Sequence, residues 1–219
     1  MIKPTMNDIL RIAKEYDYPI FKSNNIFNYN LNIWGFRSDS KDTTSFNDLC
    51  VVFYQNRQGH WFLEYFDITT DPSDLTLMNP ININGTAILC EGYHKSLWTF
   101  GFHKHRSDHK ALIQHSPCTV YRDNNRDKEI DELLPRETGM FGIEMHRASK
   151  YGTTPKIGLY SAGCQVHADV VKYDQVFIPL VENCVNEGNS VFSYTLVKES
   201  DLQPKVNLDE INIKQRVTN

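Results

Sequence analysis

Residues 49–71, LCVVFYQNRQGHWFLEYFDITTD, decide the fold class. Two apolar runs rich in Val, Phe, Tyr, Trp and Ile flank a polar stretch that carries Asn56 and Gly59. Branched and aromatic side chains fit a pleated surface, and Asn and Gly supply the backbone angles of a tight turn, so the stretch reads as a β-hairpin. The same rhythm continues in GTAILCEGYHKSLWTFGFH (85–103) and HKALIQHSPCTVYRD (109–123). In MFGIEMH (140–146), Phe141, Ile143 and Met145 alternate with Gly142, Glu144 and His146, the period of a half-buried strand. SVFSYTLV (190–197) reads as a last strand.

Helical signals are few. Thr5 and Asp8 form a capping box, followed by Met6, Ile9, Leu10 and Ala13 on one face, so a short helix ends near Tyr16. ADVVKYDQVFIPLVENCVNEG (168–188) is amphipathic through Val170, Val171, Phe177 and Leu180, and Pro179 predicts a kink or break late in it. The expected architecture is mainly β with a few short helices. A small N-terminal helical extension (1–26) precedes one β-rich domain (27–197) and a polar C-terminal tail (198–219).

The chain has 219 residues, 40% of them hydrophobic and 23% charged, which suits a folded domain. Its net charge of -4 argues against a general nucleic-acid binder, because phosphate neutralisation needs a basic field. The one local basic candidate is HKHRSDHK (103–110). Asn7, Asp8, Arg11 and Lys14 interrupt the first apolar run, so no signal peptide is expected, and no run is long enough for a membrane span. That places synthesis in the cytoplasm. Five cysteines without CxxC pairs make a zinc ribbon or a disulfide framework a poor reading. Cys50, Cys90 and Cys184 read as core thiols, and Cys118 fits either role.

Chemistry concentrates in FGIEMHRAS (141–149) and YSAGCQVH (160–167). If 141–146 and 157–161 pair as a hairpin, Cys164 returns to the neighbourhood of His146. A nucleophilic thiol needs an imidazole to hold it as thiolate, and Ala162 and Gly163 leave room for a substrate carbonyl. His103 and Gln114 are expected to project into the same cleft. DNNRDKEID (123–131) spaces acidic groups like a calcium loop, but Lys128 replaces the required glycine and Leu134 the closing glutamate. A polar turn bonding its own backbone explains it better.

The His and Cys segments resemble the L,D-transpeptidase (YkuD-type) catalytic domain, whose signature is His-Gly-Thr followed by Ser-x-Gly-Cys. CQVHADVVKYDQVFIPLV resembles the family's helix after the nucleophile, and GTAIL stands where the family has a Thr-Pro-x-Gly turn. With TVYRDNNRD included, the chain is most similar to uncharacterised tailed-bacteriophage proteins carrying such a domain. The resemblance spans roughly 45–197 and implies Cys164 as nucleophile and His146 as base. It implies Ser161 or a backbone carbonyl as the group orienting the imidazole, and the Gly163 and Cys164 N–H groups as oxyanion donors. Peptidoglycan peptide stems are the implied partner, with no cofactor or metal. Phage origin implies action at a host cell wall or carriage in the virion.

Two positions depart from the pattern. Arg147-Ala148 replaces the Gly-Thr after the histidine, and Val166 stands where the family places an arginine that holds substrate. Arg147 is expected to supply the missing positive charge.

Overall fold

The computed structural model describes residues 1–24, 30–103, 109–130 and 135–204. Of these, 37% lie in strands and 19% in helices, so the protein is mainly β. Eight strands close into a barrel, in the order β1 (Asn32–Arg37), β11 (Val191–Lys198), β5 (Gly92–His103), β6 (His109–Gln114), β9 (Met145–Arg147), β10 (Gln165–His167), β3 (Trp61–Thr69), β2 (Asp48–Gln55). The hairpin of 49–71 is β2 and β3, paired from Asp48–Ile68 to Gln55–Trp61. A second antiparallel sheet of β4 (Thr86–Leu89), β7 (Cys118–Asp123) and β8 (Arg136–Gly139) stands beside the barrel. Period-2 alternation decides its packing. Ala87, Leu89 and Val120 join the main core, whereas Ile88 and Tyr121 pack with Leu77 of α2 (Asp74–Met78).

The segment after β10 behaves differently from its sequence pattern. Helix α3 (Val170–Lys172) runs through a wide π turn (Tyr173–Phe177) into α4 (Ile178–Asn186) without a break. Pro179 follows directly on the π turn, whose change in register accommodates a residue without an N–H inside a continuous helix. Tyr173, Phe177, Val181 and Cys184 are fully buried in the barrel core, while Val171 is exposed.

Helix α1 (Met6–Tyr16) carries the expected cap: Thr5 Oγ1 accepts from the Asp8 N–H (3.2 Å) and Asp8 from the Thr5 N–H (2.8 Å). Its buried face is Ile9, Ile12 and Ala13, with Leu10 outward. These residues cover Trp34, Phe36 and Val51 on the outside of the barrel, so the N-terminal segment is packed on the domain. Arg11 also donates to the carbonyls of Asp201 and Leu202 (both 2.9 Å). Among the described residues, no helix is long and apolar enough to cross a membrane.

Candidate active site

β9 and β10 run parallel, with Met145 beside Gln165 and His146 beside Val166. The expected hairpin is therefore replaced by a crossover through 148–164, in which 157–161 is not a strand. The consequence for chemistry survives. Cys164 lies one residue before Gln165, so it is level with Glu144 and shares a face with His146, one diagonal step along the neighbouring strand. Both side chains line one cleft of about 680 Å³.

His146 is almost fully buried, and its Nδ1 lies 2.9 Å from the Arg147 carbonyl. A carbonyl only accepts, so Nδ1 carries the proton and Nε2 keeps a free lone pair. Burial pushes the imidazole down to about 3, with the neighbouring His103 adding to the effect. Cys164 is half-buried, and desolvation pushes its thiol up to about 12. Its Sγ lies 3.4 Å from the Gly142 carbonyl, to which it donates. The resting pair is thus a neutral thiol and a neutral imidazole, not the expected thiolate. The cause is desolvation, which penalises the charged form of both groups.

Ser161 does not orient His146. Its Oγ lies within hydrogen-bond distance of the carbonyls of Asp71 (2.8 Å) and Cys164 (2.9 Å), and accepts the Gly163 N–H (3.2 Å). It ties the turn before Cys164 to the end of β3. That turn uses up the Gly163 N–H, which is therefore not free as an oxyanion donor. Gly163 matters instead sterically, with φ +122° and its backbone against Ala87.

Gln114 also departs from expectation. Its Oε1 accepts the N–H groups of Phe141 (2.9 Å), Gly142 (2.7 Å) and Ile143 (3.0 Å). Its amide donates to the carbonyls of Ser116 (3.0 Å) and Gly139 (3.1 Å). It shapes the approach to β9 and does not line the cleft. Gln114→Leu keeps the volume but leaves those donors without an acceptor. A stability loss of about 2 kcal/mol is expected, read from the urea midpoint.

His103 does line the cleft, stacked on His146, and Arg147 lines it from the other side. Arg147 is buried, and its Nε and Nη1 have no hydrogen-bond partner among the described residues. Its one ion-pair contact is the half-exposed Asp174, 3.4 Å away. Val166 is fully buried between His146 and Thr69, so no charge reaches the cleft from that position. Lys150 adds a second cation to the lining, which contains no carboxylate. Leu75, Ile81, Tyr151 and Leu159 form an exposed apolar rim that sequence reasoning missed, because Leu75 sits in the five-residue α2 and the others in short loops, all too short for a periodicity.

No family model, curated protein or solved structure matches this chain.

The other candidates lie outside this cleft. Asp127 accepts the Glu129 N–H (2.8 Å) and donates its own to Asn125 (3.2 Å), the backbone-bonding turn expected at 123–130, while position 131 falls outside the described residues. Positions 104–108 of the basic stretch are likewise outside them. None of the five cysteines is in a disulfide among the described residues, and Cys118 is buried with Cys50, Cys90 and Cys184. Among the described residues, no three His, Cys, Asp or Glu side chains are grouped to hold a metal ion.

Proposed function

We propose that the protein is a cysteine-dependent acyl-transfer enzyme acting on peptide substrates. The observation that carries this reading is the placement of Cys164 and His146 on one face of adjacent parallel strands, opening on one cleft. The thiol proton passes to Nε2 of His146 as Sγ attacks the substrate carbonyl. The imidazolium then protonates the leaving amine, leaving a thioester that water or an amine opens. Because both groups rest neutral, proton transfer accompanies attack and does not precede it. Arg147, whose buried Nη1 has no hydrogen-bond partner among the described residues and whose Nε faces Asp174 at 3.4 Å, supplies a place for a substrate carboxylate in a cleft whose lining holds cations and no carboxylate.

Peptidoglycan peptide stems are the substrate class that the resemblance supports, and a phage protein acting at a host wall is the setting. Water as acceptor makes it a hydrolase, and an amine makes it a cross-linking transpeptidase. A second reading, a wall-binding protein that retains the fold, is favoured by the thiol's bond to Gly142 in place of His146.

Digestion of purified peptidoglycan by the wild type and by Cys164→Ala, read by mass spectrometry, separates these outcomes. Shortened stems with the wild type, reduced at least about 10³-fold in the variant, support hydrolysis, and new cross-links support transfer. Unchanged muropeptides with both proteins sink the enzyme reading.

A further inference from the structure

The imidazoles of His103 on β5 and His146 on β9 lie face to face, with ring centroids 4.1 Å apart and planes 15° apart. His109 on β6 closes a third side, its ring 5.3 Å from His103 and 6.0 Å from His146. A stack alone would be served by Phe or Tyr. The histidine adds a hydrogen bond, because its Nδ1 is bonded to the Glu144 carboxylate. Glu144 is not remote from the chemistry. Its backbone carbonyl accepts the Gln165 N–H (2.8 Å), which puts it level with Cys164 on the adjoining strand. Its backbone N–H favours the Cys164 thiolate, and its charge opposes it.

One side chain therefore touches both halves of the candidate machinery. We propose that His103 is a positioning residue: its ring fixes the plane of His146, and its bond to Glu144 holds that carboxylate away from the Cys164 thiol. Around His146 stand His103 from β5, His109 from β6, Arg147 from β9 and His167 from β10, with Glu144 and Cys164 just before the last two strands. Of these, Glu144 is the one carboxylate, and its charge acts on the thiol beside desolvation and the Glu144 backbone N–H. A carboxylate released from His103 can turn toward Cys164, where a like charge disfavours the thiolate.

The inference rests on Cys164 and His146 as the working pair, but its test needs no substrate. Cys164 is the one cysteine of the five that is not buried, so iodoacetamide reads it in the folded protein. His103→Phe keeps the stack and frees Glu144. Alkylation of Cys164 at pH 8 is expected to slow about tenfold, with the pH profile moving up by about one unit. Glu144→Gln in the His103→Phe background is expected to restore the wild-type profile. His103→Gln keeps a donor for Glu144 and loses the stack. Its alkylation is expected to stay near wild type, while kcat on a cleaved substrate falls about 10²-fold at unchanged KM.

Unfolding of His103→Phe, seen by circular dichroism, would shift the alkylation test to Glu144→Gln alone, which is then expected to speed the reaction. An unmoved profile in both His103→Phe and Glu144→Gln overturns the proposal. If the profile moves as expected and no peptide is ever cleaved, the enzyme reading falls and the positioning pair stands. If peptides are cleaved in a Cys164-dependent way and the profile does not move, only the positioning pair falls.

Discussion

Gly163→Ala is expected to destabilise the protein by at least about 4 kcal/mol and to disorder the turn that presents Cys164. Two costs act together. Residue 163 has φ +122°, a conformation that an alanine adopts only under strain. A Cβ built there lies 2.3 Å from the Ala87 carbonyl oxygen, which is held in β4, and 3.2 Å from Ile143 Cδ1. Backbone in a paired strand cannot yield as a side-chain tip can, so the turn must move. The turn also carries the Ser161 network, whose bonds to Asp71 and to the Cys164 carbonyl would be broken by that shift. Gly158→Ala is the internal control. Its φ is also positive, at +52°, but nothing lies within 4 Å of an added Cβ, so a loss of about 1 kcal/mol is expected. Urea midpoints of the two variants decide the matter. Equal losses would mean that the contact with Ala87 is not what selects glycine at 163.

What was legible in the sequence follows the range of the interactions involved. The hairpin of 49–71 shows through because eight residue pairs repeat one alternation next to one turn. The cap of α1 shows because Thr5 and Asp8 are three residues apart. The site's two central residues were legible as residue types in a spacing, but their pairing was not. β9 and β10 are three residues each, too short for a period to reveal direction, so a parallel crossover and a hairpin look alike in the sequence.

Gln114 and His103 were placed in the cleft from their strands alone. The roles they hold depend on partners 25 to 41 residues away. The same limit hid the resting state of the thiol. Proximity of a Cys and a His suggests a thiolate, but desolvation is a property of everything packed around them and has no local signature. Pro179 signals an irregularity in the helix, and the structure has it as a π turn directly before the proline, with the helix continuing beyond.

Acidification is expected to destabilise the protein from about pH 6.5 downward, above the usual carboxylate range, through histidines that the fold buries neutral. His146 and His167 are both pushed down to about 3, chiefly by burial. His167 is fully enclosed, and its ring meets Phe66 at 5.2 Å, Tyr173 at 4.8 Å and Phe177 at 4.7 Å between centroids. Neither of its nitrogens has a hydrogen-bond partner among the described residues, so a proton there would meet only aromatic surface. In the unfolded chain both groups titrate near 6.5. Between pH 6.5 and about 3 the unfolded state therefore binds more protons than the native state, and stability falls as the pH falls. At pH 5 the loss is about 2 kcal/mol for each histidine. The charge of His146 adds to the His167 shift. His94, also pushed down by burial, acts in the same direction. With a domain stability at the lower end of about 5–15 kcal/mol, unfolding is expected near pH 4. Urea denaturation at pH 7, 6 and 5 measures the slope. His167→Phe, which fits an aromatic neighbourhood and takes up no proton, is expected to flatten it by close to half. A midpoint that stays constant from pH 7 to 5 would show that these imidazoles reach water, and with it that the cleft around His146 is open enough for the base to be charged before substrate arrives.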